Sequence, residues 1–414
     1  MDEKRNRSFE DSIARAPSDD SLKLVYADWL LANGNRWGEF IAVQNRYPSS
    51  SPDDEFFRWD DEAGITASVR GQGIDNELYE KSSGSLSRDD PCPPSDDSAD
   101  EHRLRRLFRG YALGEHSHEP IRLRWSSGFI DRVFIPQRIS DNDLLPTILE
   151  GIFASPRSIA LRELAIGAIQ WGHGDASSYP RRAGESAYRL HVIEAIAIIG
   201  ARQRTALHRL VLGAWEEHDI SWTGIDDLSD LYPTLPNLRV LELQGGGIEL
   251  GSAIALPELR VLALRSGGLP ARAIESITAS ELPHLEELSV WFGDSDYGGS
   301  ESVAVALPLL EASPRPSLRR LGLANAMFTD DLCDRLPSAP ILAQLTHLDL
   351  SLGTMSDDGA RRLLRSREAF AHLEHLDVRG NGLSGARCRE LAALCKSVDS
   401  RFQDRQHRYV TVSE

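Results

Sequence analysis

Leu345-Thr346-His347-Leu348-Asp349-Leu350 and Leu373-Glu374-His375-Leu376-Asp377-Val378 carry one pattern, L-x-x-L-x-L with Val allowed at the last place. The same pattern starts at Leu161 (with Ile at its end), Leu207, Leu238, Leu259, Leu285 and Leu318, giving eight copies. Self-similarity of this kind marks stacked units, each burying its apolar face on its neighbours. That is how a chain of 414 residues escapes the size limit of a single core. Starts are 21 to 33 residues apart, except for one interval of 46 that holds an insertion around Gly172 to Gly184. The last two intervals, 27 and 28, leave room for a helix after each strand, from Asp357 to Leu364 and from Ala386 to Leu394. The expected fold is α/β, a solenoid with a parallel β face and helices or irregular segments opposite.

The pattern resembles the leucine-rich repeat, and the tail of the array resembles the ribonuclease-inhibitor type. That family carries an Asn after the third apolar place, and here the last repeat does so with Asn381. Gly246, Gly267, Gly293 and Gly353 stand in the corresponding places elsewhere. Glycine is expected to make those turns by adopting positive φ.

Side chains alternate across a strand, so the leucines point inward and the residues between them face the concave surface. Read in order, three rows contain Glu287, Arg320, His347 and His375; then Ser289, Gly322, Asp349 and Asp377; then Arg265, Trp291, Ala324, Ser351 and Arg379. Trp291, with Phe292 beside it, is either an exposed binding anchor or is covered by the Gly293 to Ser300 loop. His347, Asp349, His375 and Asp377 fall on neighbouring strands about 4.8 Å apart. Two imidazoles and two carboxylates in a square could hold a divalent metal; as a simple anionic patch they would meet an Arg or Lys of a partner.

Residues 8–47 read as three short helices. Ser8 with Asp11 suggests a capping box, Asp19 or Asp20 caps the second helix, and Asn33-Gly34 ends it. Leu22, Val25, Tyr26, Trp29 and Leu30 form its apolar stripe, and Phe40, Ile41 and Val43 mark the third helix. The stretch Leu24-Val25-Tyr26-Ala27-Asp28-Trp29-Leu30, continued by Gly38-Glu39-Phe40-Ile41 and Gln44, resembles the repeat-companion domain of bacterial leucine-rich-repeat proteins. The resemblance covers a tenth of the chain, departs at Asn35 where the family carries an acid, and implies an architecture and no enzymatic activity. Asp28 and Glu39 match its acidic positions and are expected to cap helices or pair with Arg or Lys.

The domain reading is a helical module over 1–47, an acidic Ser/Pro/Gly-rich linker or insertion over 48–118 and a capping hairpin over 119–160. Repeats over 161–395 and a cap over 396–414 complete it. The linker composition cannot offset its chain entropy by burial; Phe56, Phe57 and Trp59 are its apolar exception. Ile121 to Trp125 and Phe129 to Ile135 flank Ser126-Ser127-Gly128 as a hairpin.

A net charge of -17 opposes a phosphate-backbone ligand and favours a protein partner with a basic patch. No apolar run reaches the roughly 18 residues of a membrane span, and Met1 to Arg7 lacks the apolar region of a secretory signal, so no membrane role and a cytoplasmic location are expected. Cys92, Cys333, Cys388 and Cys395 form no Cys-x-x-Cys pair. Gly71-Gln72-Gly73 follows no strand, and His116 with His118 is a lone pair. No nucleophile elbow, Walker loop or zinc-protease pair occurs, and no cofactor is expected. The expected function is a non-catalytic binding scaffold using Glu287, Trp291, Phe292, Arg320, His347, Asp349, His375, Asp377 and Arg379. A regulator of one enzyme, inhibitor or GTPase-activator-like, comes second on fold analogy, and a metal-dependent enzyme using the His/Asp square comes third.

Overall fold

The computed structural model describes residues 6–35, 37–46, 122–135, 144–167, 187–213, 220, 224–311, 315–405 and 410. It divides into two compact units, Met1–Gly172 with Arg204–Arg209, and His173–Gln203 with Leu210–Glu414. The Ser/Pro/Gly-rich segment, its aromatics, His116 and His118, Cys92 and most of the last residues lie outside the described set.

The first unit begins with α1 (Arg7–Arg15), α2 (Asp20–Ala32) and α3 (Trp37–Arg46). Asn6 caps α1 by accepting from the Ser8 amide, so Ser8 is already inside the helix and its capping box with Asp11 does not form. Asp19 caps α2 by accepting from the amides of Ser21 and Leu22 at 2.9 and 3.3 Å, and Gly34 ends it at φ +76°. The buried face of α2 is Lys23, Tyr26, Ala27 and Leu30, whereas Val25 is 52% exposed. Leu22 and Trp29 of the expected stripe pack against the same core from its edge, so Val25 is the one member of the stripe that faces away. Lys23 joins the buried face, its stem packed inside while its Nζ reaches Asp20 at 3.0 Å and lies 6.0 Å from the Phe129 ring centre. Asp28 and Glu39 are exposed, and the caps of α1 and α2 among the described residues are Asn6 and Asp19.

Beyond the helices come β1 (Arg122–Ser126) and β2 (Phe129–Ile135), an antiparallel hairpin, then α4 (Leu144–Ala154) and β3 (Glu163–Ile166), parallel to β2. Ser127 and Gly128, both at positive φ, make the two-residue turn that right-twisted strands require. The helices grip this turn. Trp37 Nε1 donates to the Gly128 carbonyl at 2.8 Å, the Gly128 amide donates to Gln44 at 2.6 Å, and Ser127 Oγ donates to Asp20 at 2.8 Å. A Cβ at position 128 would overlap the Ile41 side chain. Ile13, Tyr26, Leu30, Trp37, Ile41 and Phe129 form one core, with Tyr26 and Trp37 edge to face at 5.6 Å.

In the second unit the strands follow the order β4 (Arg209–Gly213), β6 (Val240–Gln244), β8 (Val261–Arg265), β9 (Glu287–Gly293), β10 (Arg320–Ala326), β11 (His347–Asp349), β12 (His375–Asp377), β13 (Val398–Asp399). From β6 onward every pair is parallel. A separate pair, β5 (Gly224–Asp227) and β7 (Gly246–Glu249), lies beside it. The second leucines of the repeats are in register, Leu262 with Leu288, Leu321, Leu348 and Leu376, each at most 1% exposed. Each fully buried Leu contributes about 2 kcal/mol from area removed from water. Helices α5 (Ala187–Gly200), α6 (Ala271–Ala279), α7 (Leu307–Glu311), α8 (Thr329–Arg335), α9 (Asp357–Arg365), α10 (Arg367–Phe370) and α11 (Gly385–Leu391) fill the intervals between strands.

The turns after the strands correct one expectation. Of the four glycines in the Asn position, Gly293 is the one at positive φ, +70°. Gly353 instead admits the close approach of Thr329, where a Cβ would overlap its hydroxyl. Asn381 satisfies the turn backbone: its Nδ2 donates to the Leu350 and Val378 carbonyls at 2.9 and 3.0 Å, and its Oδ1 accepts from the Met355 amide at 2.9 Å.

Candidate functional site

Because β9 to β12 run in step, the residues between the leucines line up in rows on the outer face of the sheet. Glu287 pairs in register with Arg320, Arg320 with His347, and His347 with His375. The next row is Ser289, Gly322, Asp349 and Asp377, continued by Asp399 on β13. The sequence thus placed these residues on one face, and the structure brings them together.

In the first row Arg320 Nη1 lies 3.2 Å from Glu287 Oε2, an ion pair between two of the expected site residues. The His347 and His375 rings are 6.0 Å apart, with Nδ1 of His347 sharing a hydrogen bond with Thr346 Oγ1 at 2.9 Å. Burial, helped by Arg320 and His375, holds the His347 imidazole below its usual value.

The carboxylate row repeats one local bond. Asp349 accepts from the Ser351 amide at 2.8 Å, Asp377 from the Arg379 amide at 2.9 Å, and Asp399 from the Arg401 amide at 3.1 Å. In the last two strands the residue two places on is an arginine that turns back onto the same carboxylate. Arg379 Nη2 lies 2.8 Å from Asp377 Oδ2 and its Nε 3.5 Å from Asp399, while Arg401 Nη2 lies 2.8 Å from Asp399. Burial alone would raise the Asp399 carboxyl, but the bonds from Arg401 hold it below the usual range. Asp349 has serine where its neighbours have arginine. Burial, and then Asp377, push its carboxyl up to about 6.

Two expectations are corrected here. The four-residue patch is not an open anionic surface, since Asp377 is 6% exposed and already carries Arg379. Arg379 is correspondingly engaged. For a metal, no group of three or more His, Cys, Asp and Glu side chains is assembled among the described residues.

Trp291 and Phe292 are not solvent-facing. Trp291 is 8% exposed, packed with Ile220, Ala324 and Leu352, and Arg265 lies 5.7 Å from its ring centre. Phe292 points into the core, edge to face with Phe328 at 5.0 Å. The cover over Trp291 includes Ile220, from a segment after β4 that period and spacing do not link to β9.

The strand register gives a regular scaffold against which known structures can be compared. A protein from Bacteroides fragilis superposes with a TM-score of 0.55 at 26% identity, over 67% of this chain and 76% of its own. The likeness is one of fold. An internalin from Listeria monocytogenes matches over 74% of this chain and 95% of its own at 12% identity, with a TM-score of 0.26. Human trophoblast glycoprotein matches over 47% and 60% at 22% identity, with a TM-score of 0.22. No family model matches the chain, and no curated protein matches it.

Proposed function

We infer that the protein is a non-catalytic scaffold that binds a protein partner on the outer, concave face of a leucine-rich-repeat solenoid. What supports this reading most is the in-step row of Glu287, Arg320, His347 and His375, polar side chains set at fixed spacing on a well-packed sheet. Side chains already ordered before contact lose less entropy on binding, which is what a recognition surface needs. The strong negative charge favours a partner with a basic patch. No described helix is long and apolar enough to cross a membrane, and we assign the protein to the cytoplasm. In this reading residues 1–47 are a repeat-companion module, 48–118 a linker, 119–160 a capping hairpin, 161–395 the repeats and 396–414 a closing cap. Trp291, covered on the outer side by Ile220, and Phe292, packed inside on Phe328, steady the strand by packing and make no partner contact in this reading.

The test is capture from the native cell with the full chain as bait. Wild type and a convex-side control, Arg361→Ala, should retain the same partner, and the charge reversals Glu287→Arg and Arg320→Glu should each lose it. Equal capture by all four would remove the outer face from the function. Should the partner be an enzyme, assay of its activity with and without the scaffold decides whether binding also regulates it.

A further inference from the structure

We propose that the outward face of helix α2 is a docking surface for a basic amphipathic helix of a protein partner, separate from the face of the repeats.

Five large apolar side chains stand exposed among the described residues, and three of them belong to this one helix, Leu24, Val25 and Leu31. Its opposite side is committed to the core through Lys23, Tyr26, Ala27 and Leu30. With about 3.6 residues per turn, Leu24 and Leu31 stand in one line along the outward side and Val25 and Trp29 in a second, with Asp28 between the lines. Trp29 is half-buried and stacks on Tyr26 at 6.0 Å, so the second line runs from open surface down to the edge of the core. Gly38 brings the start of α3 against Leu31, yet Leu31 stays 46% exposed. A helix that is apolar on all sides belongs inside a protein, and α2 has a core on one side only. An exposed apolar patch rimmed by polar groups is a contact surface.

Charge complementarity selects the occupant. Helix α2 carries one base, Lys23, which is buried and paired with Asp20. The charges that α2 and the start of α3 leave at the outward face are acidic, Asp28 between the two apolar lines and Glu39 beside Gly38, both exposed. A second copy docked about a two-fold axis would set Asp28 near Asp28, and an anionic lipid surface would be repelled by the same carboxylates on a chain of charge -17. An apolar stripe flanked by Lys or Arg answers both features of the face. The backbone of α2 is bonded within its own helix, so the surface offers no ladder to an extended strand. An occupant that arrives with its own backbone already satisfied is a helix. Two turns of such a helix span the roughly 10 Å from Leu24 to Leu31.

The test starts with the full chain made in the native cell with the photoreactive residue benzoylphenylalanine in place of Val25, irradiated, and the crosslinked peptide sequenced by mass spectrometry. The adduct expected is with one segment of another protein, apolar at helical spacing and flanked by Lys or Arg. A synthetic, fluorescent copy of that segment is then titrated into the purified full chain and followed by anisotropy. Asp28→Lys should weaken it at least tenfold, Asp28→Asn about threefold, and Leu24→Ser at least fivefold, while Arg361→Ala on the convex side of the repeats binds as wild type does. Urea unfolding of each variant, expected at the wild-type midpoint because these side chains are exposed, separates lost binding from lost fold. No adduct, or an adduct with a second copy, with residues 48–118 of the same chain, with lipid or with an acidic segment, would overturn the proposal. So would a peptide affinity indifferent to Asp28→Lys and Asp28→Asn.

Discussion

Asp349 is destabilised as a carboxylate by its own surroundings, and this sets a pH dependence. Its folded value of about 6 lies above the roughly 3.9 of an unfolded aspartate, so between those values the folded state holds the extra proton. Stability from this group is present below about pH 4 and is lost as pH rises through 6. Asp349→Asn is therefore expected to raise stability at pH 7 by about 1 to 2 kcal/mol, a figure reduced for partial exposure to solvent, with the gain vanishing near pH 4. Urea unfolding at the two pH values measures it, and a variant no more stable than wild type at pH 7 would contradict it. Asn381→Ala should act in the other direction. Removing its amide strands the Met355 N–H and the Leu350 carbonyl in a site 1% exposed, while the Val378 carbonyl keeps its bond from Gln403, at a cost of roughly 2 to 3 kcal/mol that the same unfolding experiment reads. The alternation rule gave the row in which Asp349 stands. The serine at 351 against the arginine at 379 is legible too, but that Arg379 folds back onto its own carboxylate is a rotamer choice invisible to spacing.

At the scale of single elements, strand β9 shows what period can and cannot deliver. Alternation puts Trp291 on the outer side and Val290 inside, and both assignments hold. Exposure is another matter, since Ile220 reaches Trp291 from a segment more than 70 residues earlier in the sequence. Trp291→Ala should accordingly behave as a core mutation, lowering stability by about 3 to 5 kcal/mol with heat- or urea-detected unfolding, and not as a clean deletion of a binding anchor. Helix α2 teaches the same lesson in reverse. Lys23 stands outside the apolar stripe, yet it is 2% exposed and belongs to the buried face of the helix. Its ammonium is satisfied by Asp20 next to a hairpin turn that no helical wheel includes. The repeat strands β6, β8, β9, β10, β11 and β12 are legible because their in-register leucine patterns constrain one another, whereas β5, β7 and β13 carry no such pattern.

On the whole-molecule scale, a chain of charge -17 should associate with a basic partner in a salt-dependent manner, the on-rate falling as ionic strength rises from about 0.05 to 0.5 M while dissociation changes less. Surface resonance at several salt concentrations, once the partner is captured, reads both rates. A rate of association indifferent to salt would mean that the partner is recognised by shape and apolar contact alone. The order of the hairpin in the chain has another outcome. Gly128 lies 82 residues beyond Arg46, the end of α3, yet its amide and carbonyl fill the bonding groups of Gln44 and Trp37, and Phe129 completes the core they share. Gly128→Ala, which meets both positive φ and the Ile41 side chain, should cost about 2 to 4 kcal/mol of that unit's stability. During synthesis at about 5 to 20 residues per second, the three helices are made roughly 4 to 16 seconds before the turn that closes their core. Until the turn arrives Trp37 and Ile41 lack the partner that covers them, which leaves apolar surface on the nascent chain open to chaperones and proteases. Ribosome-stalled fragments ending before and after this turn should differ sharply in resistance to protease.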